Sequence, residues 1–98
     1  MDNVCYLIRY TETADDIGQM TQTPHKRKVF CRVESVSASE WFSGGQNGLR
    51  PELRLVLFRY EYRGEKTVEI NGELFSVYRT YADKDFLELY LERKVGNE

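Results

Sequence analysis

The chain has 98 residues, of which 41% are hydrophobic and 31% are charged, and its formal net charge is −2. This length and composition predict one globular domain, residues 1–98, with a small core, and they exclude an intrinsically disordered protein. The slight negative charge excludes a general attraction to nucleic acid or to an anionic membrane, so any contact with DNA must be local.

Neither a membrane span nor a secretion signal is predicted. No apolar run reaches the roughly 18 residues of a transmembrane helix, and Met1-Asp2-Asn3 begins without the basic and apolar stretches of a signal peptide. We therefore expect a cytosolic protein with no membrane partner. Cys5 and Cys31 lie in strand-like runs without CxxC or metal-ligand spacing, which predicts buried free thiols.

The first two predicted strands span residues 4–10 and 28–36. In the first, Cys5 and Arg9 alternate with a larger apolar set, namely Val4, Tyr6, Ile8 and Tyr10. The second places Val29, Cys31 and Val33 on one face. Between the two strands, residues 11–26 form a long polar segment that we expect to be a loop.

Residues 33–51 join the second strand to the third and contain a short predicted helix. Ser37 and Glu40 have the S-x-x-E spacing of a capping box, in which the Ser37 hydroxyl accepts from the Glu40 amide and the Glu40 carboxylate accepts from the Ser37 amide. The helix begins at Ala38, and Gly44 and Gly45 are expected to end or weaken it. We expect the segment to switch between ordered and mobile states, with Gly44 affecting assembly rather than monomer stability.

Four more strands follow, at residues 52–62, 66–70, 73–81 and 86–91. The apolar side changes partway along the third strand, which indicates either a bulge or a strand shared between two surfaces. Asn71-Gly72 predicts a type I′ hairpin turn between the fourth and fifth strands. The sixth places Leu87, Leu89 and Leu91 inward. The fold class is therefore all-β, a small antiparallel barrel or sandwich of about six strands, with a helix-bearing loop between strands two and three.

The inventory of reactive side chains argues against an enzyme. His25 is the only histidine, and no serine or cysteine stands in a recognisable nucleophile motif. Glu65, Glu69 and Glu73 are spaced along a hairpin, where alternating charges face solvent. The glycine-rich stretch S-G-G-Q-N-G lacks the ending of a phosphate-binding loop. We expect no catalytic activity, cofactor or metal.

Two stretches resemble one protein family. C-R-V-E-S-V-S-A-S-E-W-F-S-G-G-Q-N-G-L-R-P-E, residues 31–52, and K-T-V-E-I-N-G-E-L-F-S-V-Y-R-T-Y, residues 66–81, are similar to the head closure proteins of long-tailed phages and prophages, also called head-tail connector stoppers. The resemblance continues through L-E-L-Y-L-E-R and covers about residues 27–93. Residues 11–26 match only loosely.

The resemblance implies a β-barrel virion protein that assembles as a ring, usually a dodecamer, in the head-tail connector. Its partners would be copies of itself, the portal-adaptor protein above, a tail protein below and the packaged double-stranded DNA in the channel that it closes. It would occupy the host cytoplasm during assembly. The family's channel-closing loop corresponds to residues 33–51, so the resemblance assigns channel or subunit contacts to Glu40, Trp41, Phe42, Gln46, Asn47 and Leu49.

Simpler roles remain open for these residues. Trp41 or Phe42 would instead fold back as a lid on the barrel, and Glu40 would only cap the helix. The basic cluster Lys26, Arg27 and Lys28 is either a phosphate or adaptor contact or a solvated strand edge that discourages pairing.

A second functional class is a barrel that binds single-stranded nucleic acid. Its side chains would be tyrosines that stack on bases and arginines that bind phosphates, namely Tyr60, Tyr62, Tyr78, Tyr81, Arg59, Arg63 and Arg79. The negative net charge argues against this alternative.

Overall fold

Six antiparallel strands close into a barrel in the computed structural model, which describes residues 1–94. The strands are β1 (Asn3–Ala14), β2 (Met20–Ser35), β3 (Pro51–Phe58), β4 (Thr67–Ile70), β5 (Glu73–Asp83) and β6 (Phe86–Arg93). Around the barrel their order is β1-β2-β3-β6-β5-β4. Helix α1 (Ala38–Gln46) connects β2 to β3, and a 3-10 turn (Arg59–Glu61) follows β3. The predicted fold class and the position of the helix are confirmed.

The barrel interior is filled by alternate side chains of all six strands. Fully buried members include Cys5, Leu7, Cys31, Leu55, Leu57, Val68, Leu89 and Leu91. The inward orientation of Leu87, Leu89 and Leu91 is confirmed. In β1, however, the interior face is that of Cys5 and Leu7, and Tyr6 is outside. Cysteine packs as a small apolar residue. The alternating Tyr6 and Tyr10 gave the opposite face the larger apolar surface in the sequence, so the buried face was not recognisable from the pattern.

The two cysteines are buried free thiols, as predicted. A hydrogen bond between their side chains, together with burial, raises the pKa of the Cys5 thiol. Cys5 therefore remains protonated and behaves as a core residue.

β1 and β2 extend beyond the closed part of the barrel as a two-stranded ribbon, residues 9–25. The two strands pair with each other from Asn3↔Cys31 to Ala14↔Met20, whereas β4 pairs with β1 only as far as Ile8 and β3 pairs with β2 only from Arg32. Asp15 closes the tip by accepting from the Ile17 and Gln19 amides at 3.0 and 2.8 Å.

The ribbon contradicts the predicted loop at residues 11–26. Both faces of this segment are polar because the ribbon has no core beneath it, so the apolar alternation that reveals a strand is absent. Threonines opposite one another, Thr11↔Thr23 and Thr13↔Thr21, supply β-branched side chains that suit a strand. Pro24 is tolerated because the other edge of β2 is unpaired at that point.

The third strand is shorter than predicted and ends at Phe58. The register of β3 with β6 is regular from Leu53 to Phe58, so no bulge lies where the apolar side changes. Leu55, Val56 and Leu57 are all buried, which shows that both faces of the strand are covered at this point. The Asn71-Gly72 turn is confirmed, with φ of 52° and 82° at its two positions. Within residues 1–94, no helix is long and apolar enough to cross a membrane.

All neighbouring strands are antiparallel, so successive connections alternate between the two ends of the barrel. The β2–β3 connection, which contains α1, and the Asn71-Gly72 turn leave the barrel at one end, with the first residues of β1. The ribbon, the 3-10 turn and the β5–β6 turn lie at the other end. The predicted contact residues of α1 and the basic cluster are therefore separated along the barrel.

Candidate functional site

Helix α1 begins where the sequence predicts. Ser37 is its N-cap, with extended backbone, and the Ser37 hydroxyl accepts from the Glu40 amide at 3.1 Å. The reciprocal half of the capping box is absent, because the Glu40 carboxylate accepts from the Tyr78 hydroxyl at 2.6 Å and from the Arg79 guanidinium. A charged donor and a hydroxyl on β5 bind the carboxylate more strongly than a neutral amide would. Glu40 thus fixes the helix to the barrel.

The Glu40 contact is that of an ionised carboxylate. Burial by itself would raise the pKa of Glu40, but the hydrogen bonds from Tyr78 and Arg79 outweigh it and hold the pKa below its usual range. Burial and the adjacent carboxylate raise the pKa of the Tyr78 hydroxyl. At neutral pH, Tyr78 is therefore the donor and Glu40 the charged acceptor.

The helix anchor continues into a polar network on the outer face of the barrel. Arg79 lies over the Tyr90 ring at 3.9 Å, and the Tyr90 hydroxyl donates to Glu88 at 2.6 Å. The network then runs through ion pairs of Glu88 with Arg54, Arg54 with Glu34, and Glu34 with Arg32. It crosses β5, β6, β3 and β2, so the residues that hold α1 are connected to four strands of the barrel.

The C-terminal half of α1 differs from the prediction. Gly44 and Gly45 do not end the helix, which continues to Gln46, with Asn47 as its C-cap; Gly48, the next residue, turns the chain away with a φ of 78°. The Leu49 amide donates to the Gly44 carbonyl at 2.8 Å, as in a Schellman ending.

Gly44 is a packing residue, which contradicts its expected role in assembly alone. It is buried, and a Cβ at this position would overlap the Pro51 ring, with Cδ only 2.9 Å away. Pro51 opens β3, so the backbone of α1 lies directly against the start of the barrel wall. The close approach requires glycine here.

Trp41 and Phe42 project from α1 into solvent, with 56% and 63% of their surfaces exposed. Their ring centroids are 5.2 Å apart in an edge-to-face arrangement. The lid interpretation is therefore wrong, since neither ring covers the barrel. We call these two side chains the aromatic pair.

The other predicted contact residues of this segment divide into two groups. Gln46 and Asn47 are exposed, and Asn47 Nδ2 donates to the Ser43 carbonyl at 2.9 Å. Glu40 is turned toward β5, and Leu49 is half-buried. The accessible part of the predicted site is thus the aromatic pair with Gln46 and Asn47.

The basic cluster lies inside β2 and is divided between the two faces of the strand. Lys26 pairs with Glu69 at 2.9 Å, Arg27 pairs with the buried Glu65 at 2.6 Å, and Lys28 is exposed. The structure therefore does not bring the three residues to one surface. Arg9 and Arg63, which the sequence did not connect with this cluster, lie beside Arg27. Only the strand register reveals this proximity.

The tyrosines of the nucleic-acid alternative are unequally accessible. Tyr60 and Tyr81 are 76% and 54% exposed. Tyr62 and Tyr78 are half-buried, and their hydroxyls donate to the Glu65 carbonyl and the Glu40 carboxylate. Single-stranded nucleic-acid binding stays a prediction. Among the described residues, no group of three or more His, Cys, Asp or Glu side chains is placed to hold a metal ion.

Comparison with known proteins finds a solved structure with a similar fold. No family model and no curated protein matches the chain. Among solved structures, the solution structure of protein SF1141 from Shigella flexneri 2a is similar, with a TM-score of 0.74 and 17% identity. The match covers 100% of this chain and 96% of that chain. At this identity the likeness shows the fold alone.

Proposed function

We propose that this protein is a structural subunit of the head-tail connector of a long-tailed phage or prophage. In this role, copies assemble as a ring below the portal and its adaptor, close the DNA channel after packaging and present the surface for tail attachment. The proposal is supported by the sequence resemblance over residues 27–93 and agrees with the observed barrel and the helix between β2 and β3.

The observation that carries the proposal is the exposed aromatic pair on an anchored helix. Tryptophan is enriched at the centres of protein interfaces, and two adjacent exposed aromatics are a costly arrangement for a protein without a partner. Glu40 and Gly44 hold α1 against β5 and Pro51 from two points, so the pair is presented in one orientation. A preorganised contact of this kind lowers the entropy lost on assembly.

A ring requires that one surface of a subunit contact a different surface of its neighbour. The connection that carries the aromatic pair leaves the barrel at one end, and the ribbon extends from the other. Two separate surfaces of this kind suit a subunit that contacts neighbours at more than one level of a connector.

Disruption of the gene in the phage or prophage that carries it tests the proposal. We expect DNA-packaged heads that leak DNA or lack tails under the electron microscope, and restoration of tailed particles when the gene is supplied in trans. The protein should be detected in purified particles at the head-tail junction by immunogold labelling. Normal yields of tailed, infectious particles without the gene would contradict the proposal, and so would absence of the protein from purified particles.

A further inference from the structure

A concave pocket lies where the ribbon leaves the barrel, at the end opposite α1. Its volume is about 270 Å³, and it is lined by Arg9, His25, Lys26, Arg27, Arg63 and Glu65. One wall is the base of the ribbon and the other is the connection between the 3-10 turn and β4. Five basic residues and one acidic residue therefore line a single cavity in a chain whose net charge is negative, although the Lys26 side chain belongs to the other face of β2.

Strand register brings three of these side chains together. Arg9 lies directly opposite His25, and Leu7 lies opposite Arg27, so Arg9, His25 and Arg27 share the face of the fully buried Leu7. The inner face of the strands thus changes from apolar to basic just beyond the core. On the other wall, Gly64 has a φ of 86° and turns the chain between Arg63 and Glu65.

Both oxygens of the carboxylate in the pocket accept hydrogen bonds from neighbouring residues. Glu65 is 6% exposed, and its two oxygens accept from Arg27 Nη2 at 2.6 Å and from the Arg63 amide at 2.8 Å. Burial would raise the pKa of Glu65, but these partners hold it below its usual range. Glu65 therefore orients Arg27 and makes no ion pair with the Arg9 or Arg63 guanidinium.

The remaining positive charge is concentrated on two guanidinium groups. Lys26 pairs with Glu69 outside the pocket, and the His25 ring contacts the Thr11 hydroxyl at 2.8 Å. Within residues 1–94, no carboxylate lies within ion-pair distance of the Arg9 or Arg63 guanidinium. Two unneutralised guanidiniums beside an oriented third one form a concave, cationic surface.

We infer that this pocket binds a phosphate group. Guanidinium presents paired donors that match the oxygens of phosphate, and several arginines around a cavity recognise it better than isolated surface lysines do. The phosphate comes either from the backbone of double-stranded DNA or from a free phosphate ion. This inference concerns residues remote from α1 and does not rest on the proposed connector function.

Titration of the full chain with inorganic phosphate, monitored by amide resonances in two-dimensional NMR, tests the pocket directly. We expect saturable shifts at Arg9, His25 and Gly64, with no comparable shift at α1. A parallel titration with a short DNA duplex distinguishes the two sources. Tighter binding of the duplex at the same resonances assigns the site to the DNA backbone, whereas shifts by phosphate alone assign it to the free ion.

Variants that remove one charge distinguish phosphate binding in the pocket from attraction to the overall charge of the protein. Arg9→Gln and Arg63→Gln each remove an exposed guanidinium without a carboxylate partner among the described residues, and each should weaken phosphate binding by about tenfold. For DNA, each variant should also reduce the slope of log K against log salt concentration by about 1, which corresponds to the loss of one phosphate contact. Arg50→Gln, an exposed arginine at the other end of the barrel, is the matched control and should bind as the parent protein does.

Two results would overturn the inference. Equal weakening by Arg50→Gln would show that only the overall charge matters. Absence of saturable shifts at the pocket with both phosphate and duplex would show that the pocket holds no phosphate. Circular dichroism of each variant confirms that the barrel is intact before the binding data are compared.

Discussion

The Tyr78 hydroxyl donates a 2.6 Å hydrogen bond to the Glu40 carboxylate, and this bond joins helix α1 to a strand 38 residues further along the chain. The Arg79 guanidinium binds the same carboxylate from the adjacent position. Since Trp41 and Phe42 follow Glu40 directly, the residues that anchor the helix also determine where the aromatic pair is presented.

Glu40→Gln should loosen α1 without unfolding the barrel. Gln retains the volume but replaces a charge-assisted contact with neutral ones, which costs about 1 to 2 kcal/mol. Amide exchange by NMR should show faster exchange over residues 38–46 and unchanged exchange in β3. Tyr78→Phe, which keeps the Arg79 contact, should have a smaller effect. If the β3 amides lose protection equally, the Glu40 contact stabilises the barrel as well as the helix, and the prediction is wrong.

Acidification should release the same contact. The folded-state pKa of Glu40 is lowered, so its contribution to stability is present above the ordinary carboxyl pKa of about 4.3 and is lost as the pH falls through the lower folded-state value. Trp41 is the only tryptophan and adjoins Glu40, so its fluorescence reports the change. We expect a transition below about pH 4 that is absent in Glu40→Gln. An identical transition in that variant would assign the change to other carboxylates.

Gly44→Ala and Gly45→Ala form a matched pair within α1 and should change stability in opposite directions. A Cβ at Gly44 overlaps the Pro51 ring, which costs about 1 to 3 kcal/mol of unfolding free energy. A Cβ at Gly45 meets no atom within 4 Å, so alanine there should stabilise the helix by about 0.5 to 1 kcal/mol. Thermal melts measure both, and equal midpoints would contradict the packing of Gly44 against Pro51.

Gly72→Val should weaken the β4–β5 hairpin. Valine at a φ of 82° stores strain of about 1 to 3 kcal/mol, a large share of the stability of a small domain. Thermal melts should show a lower midpoint. Because nothing lies within 4 Å of a Cβ at this position, crowding does not contribute. An unchanged midpoint would show that the turn relaxes to another type.

Local sequence signals predicted the parts of the fold that depend on neighbouring residues. The Asn71-Gly72 turn and the Ser37 cap each arise within about four residues, and the inward leucines of β6 follow from simple alternation. The ribbon was missed because its strands stabilise each other without a core, so neither face is apolar. Gly44 was misjudged because its Pro51 neighbour is brought close only by the Schellman ending.

The candidate sites required tertiary information. The partner of Glu40 is 38 residues away, so the S-x-x-E spacing predicted a local bond that a distant charged donor replaces. Arg9 and Arg63 join Arg27 only through the register of β1 with β2 and the turn at Gly64. The consecutive basic residues of β2 suggested one basic cluster in the sequence. In the strand, however, successive side chains point to opposite faces, so Lys26 and Arg27 are separated.

Trp41→Ala combined with Phe42→Ala should abolish assembly while leaving a folded monomer. Both rings are more than half exposed, so their removal takes little from the core, whereas buried interface aromatics each contribute about 2 kcal/mol or more. Circular dichroism should show an unchanged fold, and complementation of a gene disruption should give leaking or tailless heads. Tyr60→Ala with Tyr81→Ala removes two other exposed aromatics and should restore tailed particles. If the control pair fails equally, the contact surface is not specific to α1, and if the first variant unfolds, the aromatic pair stabilises the monomer instead.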